Sequence, residues 1–239
     1  MNHKTEHAFT LAEVLITLGI IGIVAALTMP MLLSNYRKQV AETRLAKFYS
    51  TMNQAIQQSE LNNGPKEYWD PQEVGFLKDE DGNVDKTQSA SMAWYKKYLA
   101  PYLKVIDVQV NDVFGDVMIY FPDGSLCLLD DDSWLFWPEA KNFKNYGVDE
   151  TTGKKVNNYQ LSATQYFTFM FWPSWKENKY SYKHGMEAYA SSSWDGKRES
   201  LFTDNGIGCK EVVTNERAYC TRLIQMNGWK IPKDYPLKF

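Results

Sequence analysis

From Val14 to Leu33 the chain carries a run of 20 residues without a single Asp, Glu, Lys or Arg. As a helix that run covers roughly 30 Å, the thickness of a bilayer core. Glu13 stands directly before it. A carboxylate at the mouth of a spanning helix costs free energy unless it is paired, so Glu13 is a candidate functional residue. The order of features also excludes an ordinary secretory signal, in which the cleavage site follows the apolar region. Here the small residue that could precede a cut, Ala8, lies before the run.

The stretch Ala8-Phe9-Thr10-Leu11-Ala12-Glu13 with its following helix resembles the N-terminus of the type IV pilin and type II secretion pseudopilin family. The resemblance covers the first quarter of the chain. It implies a leader, residues 1–8, removed by a prepilin peptidase between Ala8 and Phe9, and N-methylation of Phe9. Ala8 stands where the family usually has Gly. Cleavage would leave a positive amine four residues from Glu13, on the same helix face. In a filament the carboxylate of Glu13 could instead take a neighbour's amine, so that a misaligned subunit would leave a charge unpaired in lipid.

The helix continues beyond the apolar run. Ala41, Leu45, Phe48, Met52, Ala55 and Ser59 recur at alternating spacings of four and three, which gives one narrow apolar seam with polar residues elsewhere. Asn62-Asn63-Gly64-Pro65 supplies a stop. Pro30 falls inside and is expected to kink the helix or open it locally. The organisation expected is a leader at 1–8, a membrane-spanning and assembly helix at 9–62 and an extracytoplasmic globular domain at 63–239. The domain reads as α+β. A short helix is expected within Asp85–Leu103, beginning polar and stopped near Pro101. Val117–Phe121 and Leu126–Leu129 flank the turn Pro122-Asp123-Gly124 as a hairpin. Gln165–Trp172 reads as a strand, Arg217–Met226 as a helix capped by Asn227-Gly228, and Trp229–Ile231 as a last extended piece. A long N-terminal transmembrane helix packed on an antiparallel sheet is the pilin-like architecture that the resemblance implies.

Charge alone would put the domain in the cytoplasm, since Lys4 precedes the apolar run while Arg37, Lys38, Arg44 and Lys47 follow it. Two readings oppose this. The resemblance requires a cytoplasmic leader, and Cys209 and Cys220 look like a disulfide pair, which needs an oxidising compartment. The third cysteine, Cys127, sits in an apolar strand-like run and is expected to be a buried free thiol.

Chemical sites are few. Asp79, Asp81 and Asp85 surround Gly82 as acids do in calcium loops, but the EF-hand positions fall on Leu77 and Gln88, and a solvated turn is the simpler reading. Asp130-Asp131-Asp132 reads as a solvated loop. After cleavage His184 would be the one remaining histidine, so no His-based metal site is expected. No nucleophile elbow, zinc-protease helix or phosphate-binding loop is present. With a formal net charge of −3 there is no basic excess to suggest nucleic acid. Phe143, Tyr146, Trp172, Trp175, Tyr180, Tyr182, Tyr189 and Trp194 crowd a polar region and read as core, or alternatively as a surface for a sugar or protein.

The function expected is therefore that of a structural subunit, minor rather than bulk by the size of its domain, and not an enzyme. Its cofactor need is none, calcium aside. Its expected partners are other pilin or pseudopilin subunits, the prepilin peptidase, an assembly platform in the inner membrane, and lipid. The alternative is a pilus-associated protein whose aromatic-rich domain binds a glycan, surface or secreted substrate. Pilus, secretion pseudopilus and DNA-uptake filament all fit the motif.

Overall fold

The structure, a computed structural model, describes residues 10–72, 75–79, 81–112, 114–130, 133–143, 147–148, 155–156 and 159–239. Helix α1 spans Leu11–Asn63. The chain divides into two units within it, Met1–Gln39 and Val40–Lys238. In the first unit no described residue is buried, and the apolar side chains from Leu11 to Leu33 face outward all round the helix. Such a helix needs a cover of lipid or of other helices, and it is long and apolar enough to cross a membrane. Helical backbone continues through Pro30. The local opening expected there is not seen, although the ring still removes one backbone donor from the ladder.

In the second unit α1 begins with the seam read from the sequence. Ala41, Leu45, Phe48, Met52, Ala55 and Ser59 are buried, joined by Ile56. The helix ends at Asn63, and Gly64 takes φ 74°, the left-handed conformation open to glycine. The chain then forms β1 (Phe76–Lys78) and β2 (Val84–Ser89), a hairpin that leads into α2 (Ala90–Tyr98). Residues 85–89, expected as the polar start of a helix, extend instead. Ser89 is the helix N-cap, its hydroxyl accepting the amide of Met92 at 3.0 Å.

The main sheet takes β3 (Asp107–Val110), β4 (Val117–Tyr120), β5 (Leu126–Asp130) and β6 (Ser133–Trp137) as an antiparallel meander. A two-stranded ribbon, β7 (Gly147–Val148) and β8 (Lys155–Val156), intervenes. Then β9 (Phe167–Met170) adds to β6, and β10 (Glu187–Ala188) to β9. The order across the sheet is β10-β9-β6-β5-β4-β3, antiparallel throughout. The last described helix is α3 (Tyr219–Met226). This is the pilin-like α+β fold. The expected final extended piece at Trp229–Ile231 is absent. Trp229 instead takes φ 62° in a turn, with its ring 5.0 Å from that of Tyr49 and 6.0 Å from that of Phe169.

Strand periodicity divides the core into two layers. On one face Phe136 and Phe169 meet α1. The ring of Phe48 stacks on Phe136 at 4.3 Å and meets Phe169 edge-on at 4.9 Å and Phe121 at 5.9 Å. On the opposite face Met118, Leu126, Leu128, Leu135, Trp137 and Tyr166 form a second cluster. Burial on both faces explains why β5 reads as a continuous apolar run rather than an alternating one. It also seals Cys127, a buried free cysteine on β5, whose thiol is pushed far above its ordinary pKa by that burial. Polar contacts fix the helix along its length. Glu42 accepts from the Lys230 ammonium at 2.9 Å and from the Ile231 amide at 3.0 Å. Arg44 donates to the Pro138 carbonyl. The Asn53 amide donates to the Met186 carbonyl at 3.0 Å.

Phe48 is 3% exposed, so Phe48→Ala opens a cavity where helix meets sheet. We expect a loss of about 3–5 kcal/mol, read by denaturant unfolding of the detergent-solubilised protein. A loss below about 1 kcal/mol, the scale of an ordinary surface change, would place the helix–sheet seam elsewhere.

Candidate functional site

The N-terminal site starts at Thr10, since Ala8 and Phe9 lie outside the described residues. Thr10 precedes the first turn of α1. Its carbonyl accepts the Val14 amide at 3.2 Å, and its hydroxyl accepts the amide of Glu13 at 3.3 Å. One carboxylate oxygen of Glu13 accepts in return from the Thr10 amide at 2.8 Å and from the Thr10 hydroxyl at 2.9 Å. This is a reciprocal capping box, in which two backbone donors that a helix start leaves unpaired are satisfied by side chains. The carboxylate also lies at the positive end of the helix dipole. Reading Glu13 as a partner for an amine overlooks this local role. The signal was present as Thr-x-x-Glu immediately before an apolar run. Both capping residues lie after the Ala8–Phe9 junction, so processing there would leave the box intact.

The remaining candidates lie in the second unit. Asp79 spends its carboxylate on its own turn, accepting the amides of Asp81 at 3.0 Å and Asn83 at 2.7 Å. Asp85 accepts from the amide and hydroxyl of Thr87 and from Gln88. These bonds hold the carboxyls of both below their usual pKa, chiefly through the side chains of Asn83 and Thr87. Among the described residues no group of three or more His, Cys, Asp or Glu is placed to hold a metal ion. Asp130, expected in a solvated loop, is instead buried at the end of β5, and Asp131 and Asp132 lie outside the described residues. His184 is exposed in a loop.

Cys209 and Cys220 are joined as a disulfide, 11 residues apart with Cα atoms 4.6 Å from each other. The bond lies in a buried cluster with Met170, Trp194, Leu201 and Leu223 and fastens α3 to the chain before it. Beside it Arg222 is nearly buried, donating to the Ala188 carbonyl, to Gln225 at 2.6 Å and to Glu187 at 3.3 Å. Glu187 accepts in turn from Gln225 at 2.9 Å and from the Tyr49 hydroxyl at 3.2 Å. One carboxylate on β10 thereby connects α1 and α3. Burial lowers the Arg222 pKa, with Glu187 acting in the opposite direction.

The crowded aromatics divide. Trp194 is buried, and Trp172, Tyr180 and Tyr189 pack partly buried against the disulfide cluster. Phe143 packs against the other sheet face, and Tyr146 lies outside the described residues. Trp175 is 41% exposed, its ring 5.3 Å from that of Trp172. Of the described members Trp194 alone is buried, Tyr182 like Phe143, Trp172, Tyr180 and Tyr189 is partly buried, and Trp175 is at the surface.

The prokaryotic N-terminal methylation motif, the signal carried by type IV pilins and pseudopilins, matches residues 3–29. A family of unknown function, DUF6613, matches residues 31–239. No curated protein and no solved structure matches the chain. The motif, with one helix among the described residues long and apolar enough to cross a membrane, supports a pilin-like subunit anchored through that helix.

Opening the clasp with Cys209→Ser and Cys220→Ser together should lower unfolding free energy by roughly 2–3 kcal/mol in the chain-entropy view. Urea titration of the variant against wild type reads the difference, and dithiothreitol should shift wild type but not the variant. A wild-type midpoint that reductant leaves unmoved would count against the clasp.

Proposed function

We propose that this chain, which belongs to the family of unknown function DUF6613, is a minor structural subunit of a type II secretion pseudopilus or type IV pilus, assembled through α1 and without catalytic chemistry of its own. The observation that carries the reading is Glu13 at the head of an apolar helix, inside a methylation motif. The prepilin peptidase would cut between Ala8 and Phe9 and the new terminus would be N-methyl-Phe9. In the filament the uncovered apolar surface of residues 11–33 would pack against the same segment of neighbours, and a neighbour's amine could reach the Glu13 carboxylate. The domain would lie outside the cytoplasm, a placement supported by the Cys209–Cys220 disulfide. A domain of this size suits a minor position better than the bulk of a filament. The subunit would need no cofactor. Its partners would be other pilin-like subunits, the peptidase, an inner-membrane assembly platform and lipid.

Two measurements test this. Intact mass and N-terminal sequencing of membrane-extracted protein should give N-methyl-Phe9 as the first residue. A retained residue 8, or a terminus beyond Leu33, is incompatible with the reading.

Glu13→Gln separates capping from charge, because Gln also fits the capping box while it cannot form an ion pair. Membrane insertion should be unchanged and recovery in sheared filaments should fall roughly tenfold, the order expected when a charged partner loses about 1.4 kcal/mol or more of differential interaction. Wild-type recovery of the Gln variant would remove the ion pair from the assembly contact.

A further inference from the structure

A cleft of about 620 Å³ opens in the second unit, within the range of small-molecule sites. Its floor is aromatic: Trp69, Trp94 and Phe171 are buried and touch one another with ring centroids 5.9–6.2 Å apart. Above them the loop after β9 brings Trp172 and the exposed Trp175 to the cleft, joined by Tyr189. Between these rings the lining carries short hydroxyls and an amide, Ser133, Ser174, Ser191, Ser192 and Gln72.

Both walls are held before any ligand arrives. Three indole N–H groups brace the segment from Gly64 to Gln72. Trp69 donates to the Gly64 carbonyl at 2.9 Å, Trp94 to the Asp70 carbonyl at 3.0 Å, and Trp134 to the Gln72 side chain at 3.2 Å. The opposite loop is built from successive turns, the amide of Trp175 on the Trp172 carbonyl, that of Asn178 on Trp175 and that of Lys183 on Pro173. Buried Asn178 pins this loop to the Ala190 carbonyl at 3.1 Å. A wall fixed in this way loses little conformational entropy when it binds.

The lining also selects a class of ligand. The two charged residues among the described lining are already paired, Lys66 with Glu60 at 3.0 Å and Asp70 with Lys97 at 2.5 Å. The described lining therefore offers no unpaired charge to favour an anion or a cation. An apolar ligand would cover the hydroxyls of Ser133, Ser174 and Ser192 without offering them a hydrogen bond, at a cost for each group covered. A saccharide has what both parts of the lining need: a C–H face for an indole ring and hydroxyls for the short polar groups.

We propose that this cleft is a binding site for a neutral saccharide, with Trp175 and Trp172 as the stacking platform and Ser133, Ser174 and Ser192 as hydroxyl partners. Assembly through α1 does not enter this argument, so the site would serve a subunit of any filament.

The test uses the full chain in a detergent without a sugar headgroup, fluorescently labelled and applied to a broad array of neutral and anionic glycans, with a peptide array in parallel. Wild type should be retained on neutral glycans with little change between about 0.05 and 0.5 M salt. Trp175→Ala should weaken that retention roughly tenfold or more, and Trp175→Phe should recover part of it. Trp175 is 41% exposed and belongs to neither buried cluster, so unfolding midpoints should move by no more than a surface change does, and the filament recovery of Trp175→Ala should match wild type. Absence of retention on any neutral glycan, retention indifferent to Trp175→Ala, or Trp175-dependent retention confined to peptides or anionic glycans would each overturn the proposal. None of these outcomes depends on whether the protein joins a filament.

Discussion

Everything in the globular unit is organised by the seating of one helix stripe on one sheet face. Phe48 is its centre, in contact with rings from β6, β9 and the β4–β5 turn. The sheet alone would expose that face, and residues 40–63 of the helix alone would expose the seam. Each covers what the other would expose, and most helical and sheet stability in proteins comes from such mutual burial. The polar contacts of Glu42, Arg44 and Asn53 add orientation to a packing that is itself non-directional. The chain termini of the sheet are drawn in as well, since Glu42 holds the segment after α3 and Glu187 connects α1 to α3.

How far the sequence disclosed this depends on whether the signal was local. The α1 seam was legible because a long helix repeats its buried positions many times, and six of them fell at the expected spacing. The β4–β5 hairpin was legible from Pro-Asp-Gly between two apolar runs. The disulfide could be read because only one of three cysteines lay in an apolar run. Other elements had no such signature. Strand β6, Ser133–Trp137, is short and buried on both faces, so it shows no alternation. Strands β3 and β10 are edges whose existence depends on the neighbour they pair with. Polar residues 85–89 extend because β1 is there to receive them. Trp229 departs from the expected extended piece because stacking against Tyr49 and Phe169 holds it in a turn.

The candidate sites divide along the same line. Glu13 stood out as a candidate from position alone, while its capping partnership with Thr10 needed a second pattern to be read in the same residues. The acidic loop around Gly82 carried the right residue types for a cation, and in the structure the carboxylates of Asp79 and Asp85 accept bonds from neighbouring residues of the same segment. The aromatic cleft could not be assembled from the sequence. Its lining comes from segments more than a hundred residues apart, and nothing local distinguishes Trp175 at the surface from Trp194 in the core.

The three indole N–H groups that brace residues 64–72 carry an implication for how such a cleft can diversify. A floor ring that also supports a wall serves two masters: replacing Trp69 or Trp94 would reshape the recess and loosen its frame together. The side chains of Trp175, Ser174 and Ser192 make no such bracing bond. Novelty in what the recess accepts is therefore channelled to one rim, where an altered residue can change selectivity while the scaffold stays intact. The molecule separates a part that is free to drift from a part that is not, and the boundary between them runs through the middle of the cleft.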